Sequence, residues 1–212
     1  FLKPVKQPLT WIQGFLNGQR GGLSRSHWHS DRHCEVKFLI RTDASTRGMG
    51  GMLLNPQGTP VAWWADFFRI CDMKRVGIPP GGGPAVMTEV DLLAVLISIR
   101  IWGAQFLKDQ RLGFVLQMDS KSGLGAALKL CSPVPTVNYI AAEIAVLLEE
   151  LGLEEVLGEH WRNVINVEAD ALSRLTEGKK VPLGLRHIKM SIVPPRSEIF
   201  PMWPDTLASG SG

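Results

Sequence analysis

The sequence predicts an α/β fold in which helices flank a mixed five-stranded sheet. The first observation is the order of its apolar segments, βββ-α-β-α-α-β-α, in which a meander precedes alternating helices and strands. The second is the segment at about 85–103, which is apolar nearly all round, as is typical of a helix buried against a sheet. The third is composition: 212 residues with 45% hydrophobic side chains suffice for one substantial domain plus extensions.

The meander is predicted from three short apolar runs separated by turn residues. The run at about 35–42 predicts a central strand, and the runs at 50–54 and 60–64 predict the next two. Asn55-Pro56-Gln57-Gly58 is a turn signal between the second and third runs. Short turns between successive strands favour antiparallel pairing.

The remaining elements follow from longer periodic segments. After the helix at about 85–103, we expect a strand at 112–118, helices at 121–130 and 137–151, a strand at 155–160 and a last helix at 166–176. The loop before the helix at about 85–103 contains Pro-Pro-Gly-Gly-Gly-Pro. This loop does not fit a phosphate-binding loop, because no Gly-Lys-Ser/Thr follows.

Three regions are expected along the chain. Residues 1–34 would be the end of a connecting segment, with a short helix near its start, and 35–177 would be the main domain. From 178 to 212, prolines and scattered basic residues predict an extended tail. The chain begins at Phe1, and we interpret it as a fragment of something longer or as a processed chain.

Four acidic residues stand at the ends of predicted buried elements. Asp43 closes the first strand, Glu89 opens the apolar helix, Asp119 ends the strand at 112–118, and Asp170 lies in the first turns of the last helix. Glu89 is expected to share an inward face with apolar neighbours on its helix. Clustered carboxylates repel one another unless cations join them, so the pattern points to a metal-dependent site that cleaves phosphodiesters.

The net charge of +3 is unevenly distributed. Residues 1–42 carry a net +5, residues 43–173 a net −5, and residues 174–212 a net +3. Basic flanks around an acidic middle would suit contact with a polyanion, although basic tails are also common on proteins that bind none.

Cysteine and histidine usage indicates neither a disulfide framework nor a zinc site. The three cysteines are far apart, and no Cys-x-x-Cys pair occurs. His27, His29 and His33 lie close together, but no cysteine or carboxylate is spaced to complete a ligand set. We expect an intracellular, reducing location and no membrane span, because no run of eighteen apolar residues occurs.

Several motifs together resemble one enzyme family. They are Thr42-Asp43-Ala44-Ser45 with glycines at 48, 50 and 51, Thr88-Glu89 at the head of the helix, Met118-Asp119-Ser120, and His160 followed by Asn166 and Ala169-Asp170-Ala171-Leu172-Ser173-Arg174. On these residues the chain resembles the ribonuclease H family over about 35–175. It is most similar to the ribonuclease H domains of Gypsy-like and tyrosine-recombinase retrotransposon reverse transcriptases.

The resemblance implies a ribonuclease H-like fold and cleavage of the RNA strand of RNA/DNA hybrids with two Mg²⁺ ions, for which Mn²⁺ can substitute. It implies that Asp43 bridges both ions, that Glu89 and Asp119 hold the first, and that Asp170 holds the second. His160 would assist product release or proton transfer. The implied nucleic-acid contacts are Ser45, Ser120, Asn166, Lys121, Arg162 and Arg174. A polymerase domain in the parent polyprotein is the implied partner; Tyr-x-Asp-Asp is absent from this chain.

Two other functions stay open on the sequence. A DNA nuclease such as an integrase on the same fold would place its acids as Asp, Asp, then Glu, whereas Glu comes second here. A non-catalytic connection or scaffold domain of the ribonuclease H type would need no acidic cluster. Trp161 is expected to be a packing residue, with stacking on nucleic acid as the alternative.

Overall fold

The computed structural model describes residues 38–69, 72, 86–103, 113–153, 156–162 and 166–200, together with the isolated positions 9, 12, 13, 16 and 17. The expectations for the three clustered histidines, for the glycine-rich loop, for nearly all of the connecting segment and for 201–212 lie outside the described residues.

One mixed sheet forms the centre of the fold. Its strands are β1 (Phe38–Ala44), β2 (Gly48–Leu54), β3 (Pro60–Phe67), β4 (Phe114–Met118) and β5 (Val156–His160), in the order β3-β2-β1-β4-β5. The first three strands form the predicted antiparallel meander, whereas β1 and β4, and β4 and β5, are parallel. The predicted mixed five-stranded sheet flanked by helices is confirmed.

Four described helices match predicted segments within a few residues: α1 (Met87–Trp102), α2 (Lys121–Lys129), α3 (Pro135–Glu150) and α4 (Val167–Ser173). A short 3-10 helix at Leu175–Glu177 follows α4. Helix α5 (Arg196–Ile199) and a 3-10 helix at Leu183–Leu185 lie in the segment that was predicted to be an extended tail. The last predicted helix, at 166–176, is therefore divided between α4 and a 3-10 turn. No helix in the described ranges is both long and apolar enough to cross a membrane.

The two faces of the sheet are covered differently. Ile40 and Trp64 face the larger core, which α1, α2 and α3 complete. Leu39 and Trp63 face the opposite side and pack in a smaller cluster with Leu172 of α4. Since neighbouring residues of a strand point to opposite faces, the two adjacent tryptophans pack in different cores, Trp64 in the larger and Trp63 in the smaller.

Two glycines of β2 allow close packing on the two faces. A Cβ on Gly51 would lie 2.7 Å from Nε1 of Trp64, which donates to the hydroxyl of Ser98 on α1. A Cβ on Gly50 would lie 2.5 Å from Cβ of Leu172 and 3.0 Å from its backbone carbon. Helix α4 therefore rests directly on the backbone of β2, and any larger residue at position 50 would push it away.

The C-terminal segment up to residue 200 packs onto the domain. It has little regular structure, as expected of a proline-rich segment, but Leu185 is fully buried beside Trp63. Backbone N–H of Ser191 donates to the carbonyl of Trp63, and Ile199 and Phe200 enter the larger core. Composition predicted only a tail because so few of its apolar residues are used in burial; Ile192, for example, is 86% exposed.

Replacing Phe200 tests whether this segment is part of the fold. Phe200 is 1% exposed, so Phe200→Ala removes a buried ring and should lower the free energy of unfolding by about 3–5 kcal/mol. The matched control is Ile192→Ala in the same segment, which should change it by less than about 0.5 kcal/mol. Urea unfolding followed by circular dichroism measures both, and equal midpoints for the two variants would show that the segment does not stabilise the domain.

Candidate active site

The candidate site forms where two parallel strands end. Asp43 is the penultimate residue of β1, and Asp119 directly follows β4. Because β1 and β4 are adjacent and parallel, their carboxyl ends meet at one edge of the sheet. Helices α1 and α4 approach this edge from opposite faces, so acids from four separate elements come together.

Asp43 is almost completely enclosed by the protein. It is 7% exposed, and the hydroxyl of Ser173 on α4 donates to its Oδ2 at 2.7 Å. Burial raises the pKa of Asp43 to about 7; the Ser173 hydrogen bond works against this rise, whereas the charges of Asp119 and Asp170 add to it. A carboxyl held in this way binds a proton near neutral pH unless another cation takes its place.

Asp91 of α1 is the acid that the helix contributes to this group. It is 6% exposed, and burial raises its pKa to about 7. A hydrogen bond from Ser120 lowers that pKa, and the charges of Asp119 and Asp43 raise it. Gly123 of α2 makes room beside it, since a Cβ on Gly123 would lie 3.3 Å from Cβ of Asp91.

Glu89, the sequence-predicted acid on this helix, has a different neighbour. Its Oε1 accepts a hydrogen bond of 2.7 Å from the hydroxyl of Thr136 on α3. Residues two apart on a helix do not share a face, so only one of Glu89 and Asp91 can point towards Asp43. Asp91 is thus the acid of α1 whose charge acts on Asp43 and Asp119, and sequence reasoning missed it because the helix is apolar on all sides. The role of Glu89 stays a prediction.

Asp119 and His160 lie side by side at the ends of β4 and β5. Burial raises the pKa of Asp119, the charge of Asp170 raises it further, and His160 acts in the opposite direction. Nε2 of His160 lies 2.9 Å from the backbone carbonyl of Asp119. Because a carbonyl oxygen only accepts, Nε2 carries the proton in this contact. His160 is thus placed beside the acids as the last residue of a strand.

Asp170 differs from the other acids in having two cationic partners. Nε of Arg174 donates to its Oδ1 at 2.7 Å, and Nζ of Lys179 donates to its Oδ2 at 3.1 Å. Burial by itself would raise the pKa of Asp170, but the hydrogen bonds from Lys179 and Arg174, with their charges, lower it. Arg174 was predicted to contact phosphate; here its Nε is engaged with Asp170.

Three predicted nucleic-acid contacts are occupied within the protein. The hydroxyl of Ser45 accepts from the backbone of Arg47 and Gly48 in the β1–β2 turn, and Ser45 is 6% exposed. Asn166 is 1% exposed and points its amide towards Asp43 at 3.5 Å. The hydroxyl of Ser120 accepts from the backbone of Gly123 as the N-cap of α2. Ser45 and Asn166 are therefore buried and hydrogen-bonded within the protein, and their contacts with RNA stay predictions.

The other two predicted contacts are exposed near the acids. Lys121 begins α2, one residue after Ser120, and Arg162 lies two residues after His160. Neither position is buried, so both side chains are available to a phosphate.

A polar network on the same face of the sheet holds β1, β4 and β5 together. Nε of Arg41 donates to Oε1 of Gln117 at 3.0 Å, and Nε2 of Gln117 donates to Glu159 at 2.8 Å. The guanidinium of Arg41 stacks on Trp161, 3.9 Å from the ring centroid. Trp161 therefore packs on a strand residue two positions before Asp43, in keeping with the packing role expected for it.

The donor set suits a divalent cation, although its side chains are not gathered around one point. Among the described residues, no three His, Cys, Asp or Glu side chains come close enough to hold one ion as they stand. The carboxylates nevertheless provide the oxygen ligands that Mg²⁺ prefers, and their burial and mutual repulsion raise the pKa of Asp43 and Asp91. Oδ1 of Asn166 is also buried beside Asp43 and finds no hydrogen-bond donor in the part of the chain that the structure describes, so it is free to accept from the water of a hydrated ion.

Comparison with known proteins gives distant structural likenesses. The chain is similar to ribonuclease H1 from Halobacterium salinarum, with a TM-score of 0.49 and 19% identity over 66% of this chain and 98% of that chain. It is also similar to a ribonuclease H1 isolated from compost by a metagenomic approach, with a TM-score of 0.48 and 18% identity over 65% and 93%. The same compost enzyme in complex with an RNA/DNA hybrid gives a TM-score of 0.46 and 19% identity over 64% and 93%. No protein-family model matches the chain, and no curated protein matches it. Because the likenesses are this distant, function has to be argued from the site.

The raised pKa values predict that the metal-free protein loses stability as pH rises. Asp43 and Asp91 have pKa values near 7 when folded and about 3.9 when unfolded, so their protonated forms favour the folded state. This stability is complete below about pH 4 and is lost as pH rises through about 7. At about 1.4 kcal/mol per pKa unit, the part of this loss that falls between pH 5 and pH 7 is about 3 kcal/mol for each of the two carboxyls in EDTA.

Urea unfolding at pH 5 and pH 8 in EDTA measures this loss. Asp43→Asn should make it smaller, because asparagine keeps the shape and can still accept from Ser173. Glu198→Gln, an exposed change on α5, should keep the wild-type difference. Equal stability of the wild type at the two pH values would contradict the burial-driven pKa shifts.

Proposed function

We propose that this chain is a metal-dependent endoribonuclease that cleaves the RNA strand of RNA/DNA hybrids. One observation carries the proposal: Asp43, buried at the end of the central strand, is coupled by charge to Asp91, Asp119 and Asp170 from three other elements. A structural role explains such a cluster poorly, because repulsion among buried carboxylates destabilises the fold without cations.

The four acids would hold two Mg²⁺ ions, or Mn²⁺ in their place. When bound, such ions would supply an activated water and stabilise the charge that develops on the leaving 3′ oxygen. Ser173 and Asn166 orient Asp43 by donating to its two oxygens. His160, beside the Asp119 carbonyl and exposed, is placed to exchange protons with the product or to help it leave.

The residues near the acids in sequence support a nucleic-acid substrate. Lys121, two residues after Asp119, and Arg162, two residues after His160, supply exposed positive charge that suits a nucleic-acid backbone. The bound hybrid in the compost ribonuclease H1 structure agrees with this substrate class but belongs to that protein. Preference for RNA requires contact with a 2′-hydroxyl, which DNA lacks.

We further propose that the reaction belongs to reverse transcription in a retroelement. This context rests on the motifs Thr42-Asp43-Ala44-Ser45 and Ala169-Asp170-Ala171-Leu172-Ser173-Arg174, which resemble those of retrotransposon ribonuclease H domains. A polymerase domain of the same polyprotein would then be the partner. Residues 1–34 would be the end of the connecting segment, and the catalytic domain would run from 35 through the packed C-terminal segment that ends at Phe200.

Incubation with a labelled RNA/DNA hybrid tests the activity. We expect the RNA strand to be cut to 5′-phosphate products with Mg²⁺ or Mn²⁺, and no cutting in EDTA. RNA/RNA and DNA/DNA duplexes of the same sequence are the controls. Equal cutting of the DNA duplex would instead favour a DNA nuclease on this fold.

Two single substitutions on α1 test which acid belongs to the site. Asp91→Asn should lower hybrid cleavage by about 100-fold or more, because it removes a metal ligand. Glu89→Gln should stay near the wild-type rate, since glutamine can still accept from Thr136. Both rates are measured at saturating Mg²⁺ after melting curves establish that the variants are folded. The reverse ranking would return Glu89 to the site and remove Asp91.

A non-catalytic hybrid-binding or scaffold domain is the second candidate. It is favoured by the engagement of both oxygens of Asp170 with Arg174 and Lys179, which leaves the fourth acid paired inside the protein. Such a domain would bind the hybrid without cutting it at any metal concentration.

A further inference from the structure

Asp170 is held by two cations that come from the chain itself. Arg174 and Lys179 each take one of its two carboxylate oxygens, at 2.7 Å and 3.1 Å. Both cationic side chains are about half exposed, at 45% and 51%, whereas the carboxyl side chain is 33% exposed. The ion pairs therefore lie at the surface of the site, where solvent weakens them and makes them exchangeable.

The backbone directs Lys179 back towards Asp170. After the 3-10 turn Leu175–Glu177, Gly178 adopts a left-handed conformation with φ of 88°. The N–H of Gly178 donates to the carbonyl of Leu175, and the N–H of Lys179 donates to the carbonyl of Arg174. This reversal turns the chain so that Lys179 meets an acid nine residues earlier, and residues other than glycine rarely adopt the φ it requires.

We propose that Arg174 and Lys179 form an internal cation clamp, which a divalent ion must displace from Asp170 and which phosphates of the substrate help to release. The clamp rests on the proposed function, because it regulates the same acids. An ion bound to Asp170 needs at least one of its two oxygens and repels both cations. Once released, the side chains of Arg174 and Lys179 remain at the edge of the site, where they can donate hydrogen bonds to the phosphates of a nucleic acid.

The clamp couples metal binding to substrate binding. Without nucleic acid, Asp170 is neutralised by its own chain, which lowers the repulsion that it exerts on Asp43 and Asp119. Phosphates that draw Arg174 and Lys179 away restore the free charge of Asp170 and so raise its affinity for a cation. By thermodynamic linkage, a bound ion raises the affinity for phosphate by the same factor.

Calorimetric titration with Mn²⁺, in the absence of nucleic acid, tests whether a divalent ion has to displace the clamp from Asp170. Lys179→Gln removes one cation from the clamp and should tighten Mn²⁺ binding by about 2- to 5-fold, as expected for the loss of a competing surface ion pair. Lys180→Gln is the matched control. Lys180 is the next residue, is exposed, and forms no ion pair with these acids within the described part of the chain. Equal Mn²⁺ affinity in the two variants would overturn the clamp, whether or not the protein cleaves a hybrid.

Nitrogen-15 NMR of the Arg174 Nε–H and Lys179 Nζ signals tests whether phosphates of the substrate release the clamp. A hybrid with a 2′-O-methyl RNA strand is not cut, and it should move both signals without metal. Mg²⁺ alone should move the same signals. If the hybrid binds and neither signal moves, phosphate does not open the clamp and the coupling is wrong. If the hybrid does not bind at all, the proposed function fails. The Mn²⁺ titration then still tests whether a divalent ion competes with the clamp for Asp170.

Discussion

The close approach of helix α4 to the sheet at Gly50 is the contact on which the site depends. Gly50 pairs with Asp43 across β1 and β2, and its missing side chain lets Leu172 rest on the strand backbone. The hydroxyl of the next residue, Ser173, then donates to Asp43. Asp170 on the same helix lies close enough for its charge to raise the pKa of Asp43. A residue with a Cβ at position 50 would separate α4 from β2 and so separate two acids of the site from each other.

The site concentrates negative charge that the fold alone does not neutralise. Burial and mutual repulsion raise the pKa of Asp43, Asp91 and Asp119, which means that the ionised forms destabilise the folded protein. The chain offsets part of this repulsion with hydrogen bonds from Ser173 and Ser120. The remainder is the free energy that a bound divalent ion would recover. Asp170 is the acid of this group that is paired with Lys and Arg side chains within the described residues.

The two faces of the sheet differ in what covers them, one by a large apolar core and the other by a smaller cluster and a polar network beside the acids. The larger core under α1, α2 and α3 is closed by apolar side chains and holds the acid-bearing helix in place. The opposite face carries a smaller cluster and, beside the acids, the network of Arg41, Gln117, Glu159 and Trp161. The segment ending at Phe200 extends the first core and supports the edge strand β3, so it belongs to the folded domain rather than following it.

The sequence by itself determined the strands, the helices and their order, because hydrophobic periodicity and turn residues are local signals. It also singled out Asp43, Asp119 and Asp170 as acids at the ends of buried elements. Only the tertiary structure separates Glu89, which accepts from Thr136, from Asp91, whose charge acts on Asp43, since an apolar helix shows no preferred face until its neighbours are known. It also decided that Asn166 is buried against Asp43 and that the C-terminal segment packs. These last two outcomes depend on contacts between residues more than one hundred positions apart, such as Asn166 with Asp43 and Ile188 with Trp63, and no local pattern encodes such contacts.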